Sequence, residues 1–316
     1  MQHKQAVIYT YTLEGFYFGL NSRISIWALI TFHLNSMLST VPTIKDSFKR
    51  KLCQPRIVSG PAYRHDHSPT GHAVQIPPPK IVYSLDPNCN GGIFDISRQT
   101  LHEKGEMRSL EERMPQDEPD LCIITEGDVM AIARLSLVHP VNIVARAALK
   151  KNGRLECRQQ KVMGGLSRPD TTWVYVDNND KETVIAILEY KKTNILHEAD
   201  FEPARVSNPA AAVKMLQSLA KENQDTRLQL NAVSVSKQAK TYSQAGQTPD
   251  VAVFDWKSII AYEFKNVSET LQSPRPTAIS WFSETGTTWA DDTSMRTFRP
   301  FLLGWLIRAL RRHGLA

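Results

Sequence analysis

Two β-branched and aromatic runs, Thr171-Thr172-Trp173-Val174-Tyr175-Val176 and Thr183-Val184-Ile185-Ala186-Ile187-Leu188, flank the turn-rich segment Asp177-Asn178-Asn179-Asp180-Lys181-Glu182. Such runs joined by such a turn specify an antiparallel hairpin. This hairpin constrains the chain more than any other feature, because charge breaks abruptly into its open end. With the turn centred on Asn179 and Asp180, equal residue counts put Asp170 directly opposite Glu189. Alternation along the strand then gives Ile185, Ile187, Glu189 and Lys191 one face, and Leu188 and Tyr190 the other.

Facing carboxylates have Cβ atoms about 5 Å apart and repel, so a cation between them is required. A hard divalent ion, Mg²⁺ or Mn²⁺, bound by Asp170 and Glu189 with water and phosphate oxygens filling the remaining positions, meets that need. Such an ion polarises a phosphodiester and acidifies a bound water. Lys191 would orient that water or stabilise the developing negative charge. Three residues of these types also occur as the plain polar end of a strand, so the surrounding elements decide the reading. Here an apolar hairpin strand leads into helices at Pro209–Lys221 and around Leu228–Gln244. A competing match, Pro249-Asp250 with Glu263-Phe264-Lys265, is followed by a Pro- and Ser-rich stretch, and is expected to close the sheet instead.

Pro169-Asp170, then Glu189-Tyr190-Lys191, then Gln238-Ala239-Lys240-Thr241-Tyr242 resembles the Pro-Asp, Glu-x-Lys and Gln-x-x-x-Tyr series of PD-(D/E)XK nucleases. The similarity is closest to type I restriction-enzyme R subunits and RecB-type exonucleases. It extends over residues 120–312 to a group of uncharacterised fungal proteins, through Ser236-Lys237-Gln238-Ala239 and Phe254-Asp255-Trp256. The resemblance implies a restriction-endonuclease-like α/β (α+β) core with a central mixed sheet flanked by helices. It implies Asp170, Glu189 and Lys191 as catalytic residues, Asp170 and Glu189 as metal ligands, and hydrolysis of DNA or RNA. Gln238 and Tyr242, four apart and hence on one helix face, would order the site. Glu126, opening the first core helix, would be a supporting acid, with Asp128 as its neighbour and competitor. The alternative is a catalytically silent module that keeps the fold and binds nucleic acid or protein.

A formal net charge of +6 and a pI near 9.1 permit an anionic partner such as nucleic acid. Cys53, Cys89, Cys122 and Cys157 stand singly, which argues for reduced thiols and an intracellular chain, nuclear or cytoplasmic. The apolar run Ile24–Phe32 is too short to span a bilayer and lacks signal-peptide flanks, so no membrane segment is expected. Neither a P-loop nor a Gly-x-Ser-x-Gly elbow is present, and Gly164-Gly165 reads as a bend.

With 316 residues, one or two domains are expected. The Pro-, His- and Ser-rich stretch from Val41 to Asp120 suggests an N-terminal extension over 1–118, largely irregular or disordered, before a nuclease-like domain over 119–316. Residues 1–40 show no clear period. Arg64-His65-Asp66-His67 with His72 reads as a solvated loop, and Phe48-Lys49-Arg50-Lys51 as a chance basic cluster. Structure signals then become dense: a helix from Glu126, a second piece from Pro140, a strand over Leu155–Val162, and strands at Val251–Trp256 and Ser258–Phe264. A closing helix is expected over Arg296–Arg312, with Arg308, Arg311, Arg312 and His313 favouring its C-terminus electrostatically.

Overall fold

A computed structural model describes residues 41–58, 76–115, 121–163, 167–265, 267–284 and 295–316. Residues 1–40, the His65–His72 group and Gly164-Gly165 lie outside the described residues. Eight strands form one mixed sheet: β1 (Val82–Ser84), β2 (Arg154–Gln159), β3 (Thr171–Val176), β4 (Glu182–Tyr190), β5 (Arg205–Val206), β6 (Asp250–Phe254), β7 (Ser258–Glu263) and β8 (Thr277–Ser283). Their spatial order is β2-β3-β4-β6-β7-β8-β1-β5. The pairs β4/β6, β8/β1 and β1/β5 are parallel and the other four antiparallel. Helices α1 (Ile93–Lys104), α2 (Glu126–Ala133), α3 (His139–Ala147), α4 (Pro209–Lys221), α5 (Leu230–Gly246) and α6 (Phe298–Arg312) flank it. The expected α/β class with a helix-flanked mixed sheet is therefore the observed one.

The two sheet faces carry different cores. On one, Ile187, Val251, Val253, Ile260 and Tyr262 pack with Leu228, Ala232, Val235, Ala239 and Tyr242 from α5 and the loop before it. On the other, Trp173 meets Trp305 of α6 edge-on at 6.1 Å, and Phe254 meets Phe298 at 5.1 Å. α6 also lies hard against α1, where a Cβ on Gly304 would stand 1.8 Å from the Ile93 carbonyl oxygen. Only glycine permits that approach of two backbones.

The boundary expected at 118/119 does not describe this fold. Pro42–Ala316 form one compact unit, with β1 inside the main sheet and α1 on α6. The Pro-rich composition concealed short elements that are held by distant partners rather than by local periodicity. Ile44, Phe48, Ile81, Val82, Ile93 and Leu110 are all buried, each 3% exposed or less.

α2 and α3 are one continuous helical run joined by a π-helical turn over Arg134–Val138. Pro140 has no N–H to give the Ser136 carbonyl four residues back, so the ladder cannot continue as a regular α-helix. Buried Arg299 of α6 uses that carbonyl instead: its Nε donates to Ser136 O at 2.6 Å, and its Nη1 donates to Ser47 O at 2.8 Å and Arg50 O at 3.0 Å. Across this run, Glu126–Ala147 has the length and apolarity of a membrane span, with mean hydropathy 1.3, and half of that window is buried inside the fold. Among the described residues, Cys53, Cys89, Cys122 and Cys157 form no disulfide.

Candidate metal centre

The hairpin reaches its expected end by a different register. Near the turn, Val176, Tyr175 and Val174 pair with Glu182, Thr183 and Val184, one residue away from the strict count. A β-bulge at Ile185 then shifts the pairing, so that Trp173, Thr172 and Thr171 oppose Ala186, Ile187 and Leu188. The next pair outward is Asp170 with Glu189, as residue counting demanded. The backbone N–H of Tyr190 donates to Asp170 Oδ2 at 2.8 Å, and that of Asp170 lies 3.4 Å from Glu189 Oε2.

Glu126 joins them. Carboxylate oxygens of Glu126, Asp170 and Glu189 all lie within 4.8 Å of one another, and the three grade from exposed through half-buried to buried. Its neighbour Asp128 is occupied elsewhere. Asp128 forms a capping box with Thr125, its Oδ2 accepting the backbone N–H groups of Thr125 at 2.8 Å and Ile124 at 3.0 Å. Those backbone bonds hold the Asp128 carboxyl below its ordinary range. The helix start thus divides the labour of its two acids, one turning into the site and one closing the helix end. Asp128→Ala is expected to cost about 1 kcal/mol in chemical denaturation and to leave Mn²⁺ binding unchanged. Glu126→Gln is expected to do the reverse, weakening calorimetric Mn²⁺ affinity about ten-fold or more.

Lys191, 2% exposed, places Nζ 2.8 Å from Glu189 Oε1 and 3.5 Å from Glu126 Oε2. Gln238 Nε2 donates to the same Glu189 Oε1 at 2.7 Å and to the Tyr242 hydroxyl at 2.8 Å, while that hydroxyl lies 3.3 Å from Oε1. Oε1 is therefore saturated by three donors, and Oε2, which has a long contact from Asp170 N and lies on the Asp170 side, is the oxygen left for a cation. All six residues singled out from the sequence converge here.

The electrostatics fit an acid cluster that Lys191 compensates only in part. Burial pushes Glu189 up to about 8, opposed by Lys191 and reinforced by the Asp170 and Glu126 charges. Burial also raises Asp170, against its bond from the Tyr190 N–H. Burial works against the Lys191 ammonium too, but Glu189, Glu126 and Asp170 outweigh it, so its pKa is raised and it stays charged. An ion among these oxygens would relieve the repulsion.

The competing match forms a second carboxylate pair with its own answer to repulsion. Asp250 and Glu263 are direct cross-strand partners on β6 and β7. Arg312 of α6 bridges them, pairing with Asp250 and, through Nη2, with Glu263 Oε2 at 2.5 Å. Here the cation is part of the chain, and the pair needs no other. Arg312, expected merely to favour the helix C-terminus, is instead the counter-ion of two strand acids, with Arg308 standing 4.0 Å from Glu263.

Asp255 was missed as a positioning residue. Fully buried, it accepts backbone N–H groups from Ile195, Leu196, Lys257 and Ser258 and so pins the segment following Lys191 to the β6–β7 turn. Burial lifts its carboxyl to about 6 against those four bonds. Its sequence signals were an acid directly after the apolar β6 run and its place in the Phe254-Asp255-Trp256 stretch, and neither pointed to a backbone-pinning role. Compared with protein-family models and with curated proteins, the chain matches none.

Proposed function

We propose that this chain is a metal-dependent phosphodiesterase acting on nucleic acid, a nuclease of PD-(D/E)XK type. The observation that carries the reading is the convergence of Glu126, Asp170 and Glu189 within 4.8 Å around a buried lysine. Oxygens sharing one ion at about 2.0–2.6 Å can be no more than about 5 Å apart, and an all-carboxylate donor set suits Mg²⁺ or Mn²⁺. When bound, the ion supplies Lewis-acid polarisation of a phosphate oxygen and an acidified water. Asp170 and Glu189 Oε2 would hold it from the strands and Glu126 from the solvent side. Gln238 and Tyr242 fix Glu189 Oε1, which sets the direction of Oε2. Lys191 presents a proton donor beside the same acids, placed to orient the attacking water or to neutralise charge growing on the phosphate.

The test is incubation of the full chain with single- and double-stranded DNA and RNA in the presence of Mg²⁺ or Mn²⁺. Cleavage that EDTA stops supports the reading. Neither cleavage nor calorimetric metal binding defeats it, and metal-linked binding without cleavage supports the silent-module alternative. A pH signature accompanies it. In the metal-free protein Glu189 carries its proton up to about pH 8, and a ligand must be deprotonated to bind. Mn²⁺ affinity is therefore expected to rise as pH rises from 6 toward about 8 and then to level off, with proton release visible by calorimetry at pH 7 in buffers of different ionisation enthalpy. A flat profile with no proton release would contradict this arrangement of ligands.

A further inference from the structure

The two strands that supply Asp170 and Glu189 each continue outward into a segment tied to a different neighbour. On one flank the Gln160 N–H, just after β2, donates to the Asp170 carbonyl at 3.3 Å, and the Met163 N–H donates to Ser167 O at 2.9 Å. The connection that delivers Arg168 therefore enters from the β2 flank. On the other flank the Lys191 N–H donates to Phe254 O at 2.8 Å, and Asp255 takes the N–H groups of Ile195 and Leu196. Lys192 therefore leaves along the β6 flank. Arg168 stands two residues before Asp170 and Lys192 three after Glu189, so their Cα atoms lie within about 7 and 11 Å of those of the acids. With strands about 4.8 Å apart, the two flanks are on the order of 10 Å from each other, and the carboxylates lie between them.

Each flank thus carries a cation, and neither cation is taken. Arg168 is exposed and Lys192 half-buried, and among the described residues neither has an ion pair or a side-chain hydrogen bond. The acids beside them engage Lys191 alone. Other basic side chains of the sheet are consumed: Arg154, Arg158 and Lys161 by Glu156, Asp180 and Glu182, and Arg312 by Asp250 and Glu263. The backbone on which the two cations stand is fixed. Pro169 holds the residue before it extended, and Ser167, Pro169, Lys191 and Thr193 are all buried. Two mounted cations with no internal acid, one on either flank of a metal-binding acid pair, suit an anion that extends to both sides of the ion. A nucleic-acid strand is such an anion, since each diester has a phosphate before and after it, and Lys and Arg contacts to those phosphates fix its register. A nucleotide or a small diester has no such neighbours and would leave at least one cation unused.

We infer that Arg168 and Lys192 hold the phosphates on either side of the diester at the Glu126–Asp170–Glu189 cluster, so that a polynucleotide strand crosses the sheet end from the β2 flank to the β6 flank. The inference rests on the nuclease reading and narrows its substrate to a chain that continues past the reacting diester in both directions. The test compares the full chain with R168Q/K192Q on short fluorescein-labelled oligothymidylate and oligouridylate, and on bis(p-nitrophenyl) phosphate, a diester with no flanking phosphate. Mn²⁺ is used for cleavage and Ca²⁺ for binding. In the variant, kcat/KM on the strands should fall at least about ten-fold further than kcat/KM on the small diester, and strand affinity in Ca²⁺ should fall about ten-fold or more. The slope of log affinity against log salt should fall by about 0.7 for each phosphate contact removed. Calorimetric Mn²⁺ affinity should not fall, which separates these residues from the metal ligands, and a matching thermal midpoint shows that the variant folds. If R168Q/K192Q misfolds, R168Q alone, on an exposed side chain, must still weaken strand binding and flatten the salt slope. Equal losses on strand and small diester, or no loss on either, overturn the inference and leave the nuclease reading standing. Tighter Mn²⁺ binding with strand affinity unchanged also overturns it, by making the two cations counter-ions of the acids. Wild-type protein that neither binds nor cuts any of these strands overturns both.

Discussion

Asp170→Asn is expected to reduce metal-dependent cleavage by on the order of 10³-fold or more while leaving the metal-free protein no less stable than the wild type. The two halves of this result have one origin. Burial raises the Asp170 pKa in the folded state, so above that pKa its ionised form weakens the fold relative to the unfolded chain, and the penalty is absent at low pH where both states are protonated. Asparagine keeps an oxygen for the Tyr190 N–H and removes the charge that the site would spend on a cation. A structural aspartate would behave oppositely, losing stability on neutralisation. The measurements are initial cleavage rates and thermal midpoints with and without Mn²⁺. Wild-type activity in the variant would remove Asp170 from the ligand set, and a midpoint that drops in EDTA would mark it as structural. Lys191→Ala serves as the companion, since it leaves the acids in place but takes away the donor beside Glu189 and Glu126.

Arg312→Ala is expected to destabilise the protein by about 3–5 kcal/mol, the usual cost of leaving a buried charge without its partner. Asp250 has no exposed side-chain surface and faces Glu263 across the ladder, and Arg312 touches both. Burial raises Asp250 even with Arg312 present. Without it the folded pKa rises further, so the variant's deficit should be largest near neutral pH and shrink as pH falls and the carboxyls take up protons. Asp250→Asn in the same chain should recover much of the loss. Denaturant unfolding of the single and double variants at two pH values decides the matter. A deficit below about 1 kcal/mol, or one that does not change with pH, would mean that the bridge does not hold these strands.

The two carboxylate pairs explain what could be read in advance. Counting outward from Asn179 and Asp180 reached the Asp170–Glu189 juxtaposition because two compensating details, the turn's shorter register and the bulge at Ile185, cancel before the strand end. Neither detail was visible, since both depend on how β3 packs between β2 and β4. Gln238 and Tyr242 were legible because four residues is a helical repeat, and they do meet Glu189 together. The bare pattern fits Asp250–Glu263 as well as Asp170–Glu189, and only the following helices favoured the second; the cation that answers Asp250–Glu263, Arg312, comes from α6 and was not legible. Glu126 was read as the supporting acid with Asp128 as its competitor, and the capping box shows what occupies Asp128 instead. The N-terminal part was misjudged for a related reason. β1 is three residues long and has no period to detect, and its place is fixed by β8 and β5 alone.

That placement of β1 has a consequence for how the protein is made. Val82 and Tyr83 leave the ribosome early, yet their parallel partners Thr277 and Ala278 belong to the closing part of the chain. Between them are translated the hairpin with Asp170, Glu189 and Lys191, and then the helix with Gln238 and Tyr242. Synthesis proceeds at about 5–20 residues per second, so the nascent chain passes through a long interval in which β1 lacks its β8 partner and α6 has not arrived to neutralise Asp250. α6 thus follows the strands it covers and supplies both the aromatic side of their core and the cation for Asp250.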